Sequence, residues 1–233
     1  MRTPLIFDCH LDLSLNGMEY NRDLRLPVPE LRRREQGMTD LKGRAAMTTA
    51  FPEMRRGRVG ICVATQLAGC MTGARPIANW MSSEQAWAQT QGQLAWYRAL
   101  EEDGVMKQVT GSAELEAAIA HWQSNTPDDT KPIYYILSLE GADSIRSVAH
   151  LERVWSQGLR AMGPAHYGVG RWALGHDQVG PLSAKGRDLV KEMDRLGIIL
   201  DLTHLSDGCF WDALEIHHGA VWASRSGSTG FSR

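Results

Sequence analysis

The sequence predicts an α/β barrel of parallel strands covered by helices, a (β/α)8 TIM barrel left incomplete because its last strands are missing. Three observations carry that expectation. First, apolar runs of strand length alternate with helical stretches, which is the pattern of a parallel sheet flanked by helices. Second, several of those runs close on a carboxylate or an imidazole, as in LIFDCHLDL, IYYILSLEG and GIILDLTHLSD. A barrel collects polar groups from the C-terminal ends of many strands, whereas an open doubly wound sheet gathers them at one switch point beside a glycine-rich loop. No GxGxxG or P-loop is present. Third, about six or seven strands are visible in 233 residues, against roughly 250 residues for a full barrel.

The elements follow in order. Strands are expected at Leu5 to His10, Val59 to Thr65, Ile133 to Leu139, Leu159 to Ala165, Ile198 to Thr203 and Ala220 to Ala223, with a weaker one at Met106 to Val109. Helices are expected at Ser83 to Glu102, Ala113 to Gln123, Ile145 to Trp155, Ala184 to Leu196 and Asp207 to His217. The best-defined unit is PLSAKGRDLVKEMDRLGIILDLTH. Ser183 is a suitable N-cap, Leu189, Met193 and Leu196 recur at helical spacing, and Gly197 suits the residue after the helix. Two connections are long. Asn16 to Arg58 links the first two strands, and His166 to Leu182 carries Gly168, Gly170, Gly175, Gly180 and His176. Long loops on the C-terminal side of a barrel tend to cover its site.

Composition narrows the function classes. A hydrophobic fraction of 43% supports a folded core, and a net charge of −2 with interspersed signs offers nothing to nucleic acid or to a membrane surface. Arg32, Arg33 and Arg34 lie between Glu30 and Glu35 and read as a solvated helix face, with phosphate binding as the alternative. The four cysteines form no CxxC pair; Cys9 and Cys62 fall in apolar runs where a reduced thiol acts as a small hydrophobe. With no charged-then-apolar leader and no apolar run near the roughly 20 residues that span a bilayer, the expected location is cytoplasmic.

Five residues carry the chemistry. Side chains alternate along a strand, so His10 and Asp12 face the same way. They read either as metal ligands or as a satisfied histidine beside a capping aspartate. Glu140 closes its strand as a metal-bound carboxylate or as a partner for the dipole of the following helix. His204 closes another strand as a ligand or as a cap-region histidine. His166, in PAHYG, suits an oxyanion-stabilising or substrate-polarising donor, with a plain loop histidine as the alternative. Together the imidazoles and carboxylates form an N/O set that suits zinc. His217 and His218 close a helix and read as dipole partners, while Trp87 and Trp96 read as packing.

The stretches DCHLDLSLN, EMRRGRVGICVATQLAG, QGQLAWYRALEE, LSLEGADSI, GLRAMGPAHYG and LSAKGRDLVKEMDRLGIILDLTHLSD resemble the membrane dipeptidase (renal dipeptidase) family, peptidase family M19, in its bacterial form. The resemblance implies a metallodipeptidase: a hydrolase with two zinc ions in which a metal-activated hydroxide attacks the peptide carbonyl of a dipeptide. It implies His10 and Asp12 as ligands of the first zinc, Glu140 as the bridging carboxylate, His204 as a ligand of the second zinc, and His166 as the substrate-contacting catalytic donor. The implied partners are small dipeptides, including those with a D-residue at the C-terminal position, and a homo-oligomer is compatible with it.

The resemblance breaks at the end. In AVWASRSGSTGFSR, Ser224 matches an expected Ser-His pair, but Arg225 stands where the second histidine ligand of the second zinc belongs. A guanidinium stays protonated and does not ligate zinc. The expectation is a partial hydrolase barrel over residues 1–224 and a non-matching tail over 225–233, caused by a frame error or a natural truncation. With it go a weak second zinc, low activity, and exposed sheet edges that favour association. Two other readings stay open: another amidohydrolase-like barrel enzyme, and a catalytically dead binding protein that keeps the shell.

Overall fold

A computed structural model describes residues 3–70 and 78–225. The chain divides into two compact units, one of Met1–Ala64 with Gln93–Ile136 and one of Thr65–Gly92 with Leu137–Arg233. The elements in chain order are β1 (Ile6–Leu11), α1 (Leu13–Met18), α2 (Val28–Glu35), α3 (Phe51–Arg56), β2 (Val59–Gln66), β3 (Gly69–Cys70), β4 (Asn79–Trp80), α4 (Ser83–Glu102), β5 (Met106–Gln108), α5 (Ser112–Gln123), β6 (Ile133–Glu140), α6 (His150–Ser156), β7 (Leu159–Gly163), α7 (Ala184–Leu196), β8 (Ile199–Asp201), α8 (Asp207–Ile216) and β9 (Val221–Trp222). Among the described residues the main sheet has seven strands, in the order β1-β2-β6-β7-β8-β9 with β5 beside β6. The described pairings are all parallel, as strands joined by helical crossovers must be. Every strand expected from the sequence is present, with ends shifted by at most two residues.

The first unit packs around aromatic rings. Tyr97 of α4 stacks on Tyr135 of β6 with ring centroids 5.1 Å apart, and its hydroxyl accepts the backbone N–H of Ser14 at 3.2 Å. Trp122 of α5 is fully buried, and a Cβ at Gly60 of β2 would lie 2.3 Å from its ring, so the absent side chain sets the helix-to-strand spacing. The connection from 16 to 58, expected as a loop, contains two short helices, α2 and α3, after the end of α1. Each offers too few apolar positions for a 3.6-residue period to stand out; α2 reads VPELRRRE and buries only Val28, Leu31 and Glu35. The available signal was proline in the first turn, at Pro29 and Pro52. Arg33 and Arg34 do pair with Glu30 on the solvated face. Glu35 turns inward and holds the connection together. It accepts from Arg22 Nε at 2.6 Å and Nη2 at 2.8 Å, from Arg44 Nη1 at 2.9 Å and from the Ala45 N–H at 2.8 Å.

In the second unit α7 follows its sequence closely. Ser183 Oγ accepts the Gly186 N–H, Leu189, Val190 and Met193 are buried, and Gly197 ends the helix in the left-handed conformation at φ 69°. The helix expected from Ile145 begins instead at His150. The preceding residues are committed to loop anchoring: Ile145 O accepts the Trp172 indole N–H at 2.9 Å, and the Asp143 carboxylate accepts the Cys70 N–H at 2.9 Å and the Arg171 N–H at 2.6 Å. Burial pushes the Asp143 carboxyl up, and those two backbone donors oppose the rise.

One expectation fails in β1. Cys9 is exposed rather than core, and Ile6 and Phe7 are 43% and 42% exposed. β1 is the end strand of the order and its described ladder is with β2. An apolar run announces a strand but not whether both its faces will be covered.

The Glu35 cluster generates a prediction. Arg22, first among its partners, holds the Glu35 carboxyl down at about 2. A carboxyl lowered on folding stabilises the native state above its ordinary titration range, and that contribution disappears as pH falls through about 4.5 toward 2. Urea denaturation of Glu35→Gln should give a loss of about 3–5 kcal/mol at neutral pH. The difference from wild type should shrink as the pH is lowered toward 2.

Candidate metal centre

The strand ends carry the five residues singled out by sequence. In the first unit β1 delivers His10, and Asp12 follows as the cap of α1. His10 Nε2 lies 3.3 Å from Asp12 Oδ1, and the His10 backbone N–H donates to Asp8 Oδ1 at 3.0 Å. In the second unit Glu140 is the last residue of β6, His166 follows β7, and His204 follows β8. Glu140, His166 and His204 each offer a ligand atom, and the three atoms lie within 4.8 Å of one another. The cluster is largely buried: Glu140 and His204 are under 10% exposed and His166 is intermediate.

Local backbone geometry brings these groups together. Gly141, at φ 81°, turns the chain sharply after Glu140, and its N–H donates to Gly163 O at 3.0 Å. A side chain there would be strained by that φ and would meet His166 Cβ at 3.1 Å. His204 itself sits at φ 67°. A buried non-glycine residue in the left-handed region costs of order 1–3 kcal/mol and persists where neighbours hold it. Those neighbours are specific: His204 Nε2 lies 3.0 Å from Glu140 Oε1, and Nδ1 lies 3.0 Å from His176 Nδ1. The His166 ring packs edge-on against His204 at 4.8 Å, and its Nε2 is 3.9 Å from Glu140 Oε1.

Two features were not legible in the sequence. His176 orients the far side of the His204 ring, and a histidine 28 positions away carries no spacing signal. Asp201 organises the end of β9. It accepts the Ser224 hydroxyl at 2.5 Å and the Ser224 N–H at 3.3 Å, and it also accepts the Thr203 N–H at 3.0 Å. Thr203 Oγ1 in turn bonds both the N–H and the carbonyl of Arg225. Arg225 is thereby aimed at the cluster, with Nη2 3.0 Å from His204 Nε2 and 3.4 Å from Glu140 Oε1. His217 lies apart from this cluster: its Nε2 bonds Ala220 O and its Nδ1 is 3.5 Å from Asp194, in keeping with a helix-end role.

One buried carboxylate and two imidazoles make a donor set of the borderline kind that suits zinc. Parallel strands that present such a set at their C-terminal ends make a candidate metal centre of the α/β barrel class. The chain belongs to the membrane dipeptidase family, peptidase family M19, whose model it matches over residues 1–232. Its fold matches that of a crystal structure of dipeptidase AC, a metallo peptidase, with a TM-score of 0.71 at 24% identity, covering 94% of this chain and 62% of that one. It also matches a metallo peptidase from Rhodobacter sphaeroides bound to a phosphinate mimic of the dipeptide L-Ala-D-Ala, with a TM-score of 0.69 at 22% identity, covering 94% of this chain and 64% of that one. Dipeptidase tcpJ of Claviceps purpurea is 47% identical over 45 residues, 19% of this chain and 11% of the fungal protein. The fold is therefore the parallel α/β barrel class, incomplete among the described residues. The chain spans less than two thirds of the length of these solved relatives.

The loop that carries His166 and His176 supplies a prediction. A Cβ at Gly175 would fall 2.2 Å from His166 O and 2.8 Å from Gly168 N, both backbone atoms that cannot swing aside. Gly175→Ala should therefore cost about 1–3 kcal/mol in thermal or urea unfolding. The histidine ring signals of His166 should shift in its NMR spectrum, whereas a tolerated methyl would leave both unchanged.

Proposed function

We propose that this chain is a metal-dependent dipeptidase, or a part of one, acting on the peptide bond of short dipeptides. The observation that carries the reading is the convergence of Glu140, His166 and His204 in a chain of the M19 family. On this reading His10 and Asp12 are ligands of one zinc ion and Glu140 and His204 of another, while His166 serves the substrate. Bound zinc would supply Lewis acidity for the scissile carbonyl and an activated water.

The chain's own groups have defined tasks in this scheme. Glu140 is buried, and a carboxylate in that position calls for a cation at its oxygens. The imidazole Nε2 of His204 offers a lone pair to the same point as Glu140 Oε1, held there by His176 from behind. His166 is less buried than the other two, and on this reading its Nε2 is the donor that would serve a developing oxyanion. The phosphinate bound by the Rhodobacter relative mimics L-Ala-D-Ala, which makes a dipeptide with a C-terminal D-residue the substrate to try beside its L,L counterpart. Exposed Ile6 and Phe7 on β1 also favour association into oligomers.

The test is hydrolysis of L-Ala-L-Ala and L-Ala-D-Ala by zinc-reconstituted protein. Hydrolysis should be lost on chelation and restored by zinc. Glu140→Gln should lower metal affinity by more than the about 10–100-fold that loss of an outer-shell partner costs, and should lower the rate with it. Metal retention with no hydrolysis of any dipeptide would favour the dead binding protein instead.

A further inference from the structure

We propose that Arg225 is the resident cation of the Glu140–His204 donor pair, and that a divalent metal enters this centre only when the Arg225 side chain swings out. The inference rests on reading Glu140 and His204 as metal donors, and it concerns what competes for them.

The geometry is a triangle. His204 Nε2 and Glu140 Oε1 are 3.0 Å apart, and Arg225 Nη2 lies 3.0 Å from the first and 3.4 Å from the second. A guanidinium nitrogen only donates. With Arg225 donating across 3.0 Å, Nε2 is the accepting nitrogen of His204, and Nδ1 faces His176 Nδ1 at 3.0 Å. That leaves an imidazole lone pair and a carboxylate oxygen facing each other at 3.0 Å. Two acceptors this close are stable when a cation lies against both. Arg225 Nη2 satisfies that requirement by donating toward His204 Nε2 while lying 3.4 Å from Glu140 Oε1 as an ion pair. A divalent ion would need the same two lone pairs, so occupancy by the guanidinium and by the metal exclude each other.

The placement of Arg225 is built rather than incidental. Its backbone N–H and carbonyl are both bonded to Thr203 Oγ1, and the preceding Ser224 is fastened to Asp201 through its hydroxyl and its N–H. The end of β9 is thus tied to the end of β8, one residue from His204. The Arg225 side chain is 39% exposed, so part of it already faces solvent.

The experiment is a cobalt(II) titration of wild type, Arg225→Ala and Arg225→Met, followed by visible absorption and elemental analysis. Circular dichroism identifies which variants fold, and Arg225→Met preserves side-chain volume should the alanine variant fail. Removal of the guanidinium should tighten cobalt binding about 10- to 100-fold, the worth of one charge-assisted hydrogen bond. Adding Glu140→Gln to Arg225→Ala should abolish the gain. Binding that is unchanged between wild type and the variants would overturn the competition while leaving the metal centre standing. No cobalt in any form would overturn both. A metal-independent readout is the long-range 1H–15N spectrum of wild type: His204 should carry its proton on Nδ1, and a proton on Nε2 would overturn the proposal.

Discussion

A buried carboxylate at the end of a strand is the constraint around which the second unit is organised. Glu140 closes β6, a strand whose side chains are almost all buried, and its Oε1 is the point toward which His204, His166 and Arg225 converge. Removing a carboxylate from water costs several kcal/mol unless opposite charge replaces the lost hydration. The groups around Glu140 answer that cost in different ways. The imidazoles supply polar contact, and Arg225 supplies full positive charge. A metal ion would supply more charge at shorter distance, which is why one position suits both.

Backbone features that look irregular are consequences of serving that carboxylate. Gly141 adopts a left-handed conformation directly after Glu140, and His204 accepts the same conformation despite having a side chain. Gly175 lies against the His166 carbonyl with no room for a Cβ, and the loop segment it belongs to pairs with Leu205 next to His204. The strain at His204 is opposed by contacts on both of its ring nitrogens. Strain and rigid support occur together here because a strained backbone conformation persists only where specific contacts hold it.

What the sequence disclosed depended on the range of each signal. Strand runs such as IYYILSLE and the capped, amphipathic α7 declare themselves locally, and so does a charged residue that terminates a buried strand. The two helices between residues 16 and 58 were illegible because about two turns give periodicity too little length, and because α2 spends three of its eight positions on arginine. The inward turn of Glu35 was hidden for a related reason: in RRRE it looks like one more solvated charge, and only Arg22 and Arg44, distant in sequence, pull it inside. His176 reaches His204 from a loop, and the Asp201–Ser224 tie joins the ends of two strands; no spacing rule reports either.

Arg225 separates the two kinds of information most clearly. By sequence it registers only as a departure, a guanidinium where an imidazole was expected and therefore a lost ligand. In three dimensions a substitution has to satisfy the same neighbours the replaced group would have met. Those neighbours are a carboxylate and a lone pair, and both want positive charge. Histidine meets that need indirectly, by holding a cation; arginine meets it directly, by being one. The donor pair is therefore electrostatically complete with Arg225 in place. Retention of Glu140 and His204 does not by itself imply a retained metal, because the geometry that suits zinc is the geometry that suits a guanidinium.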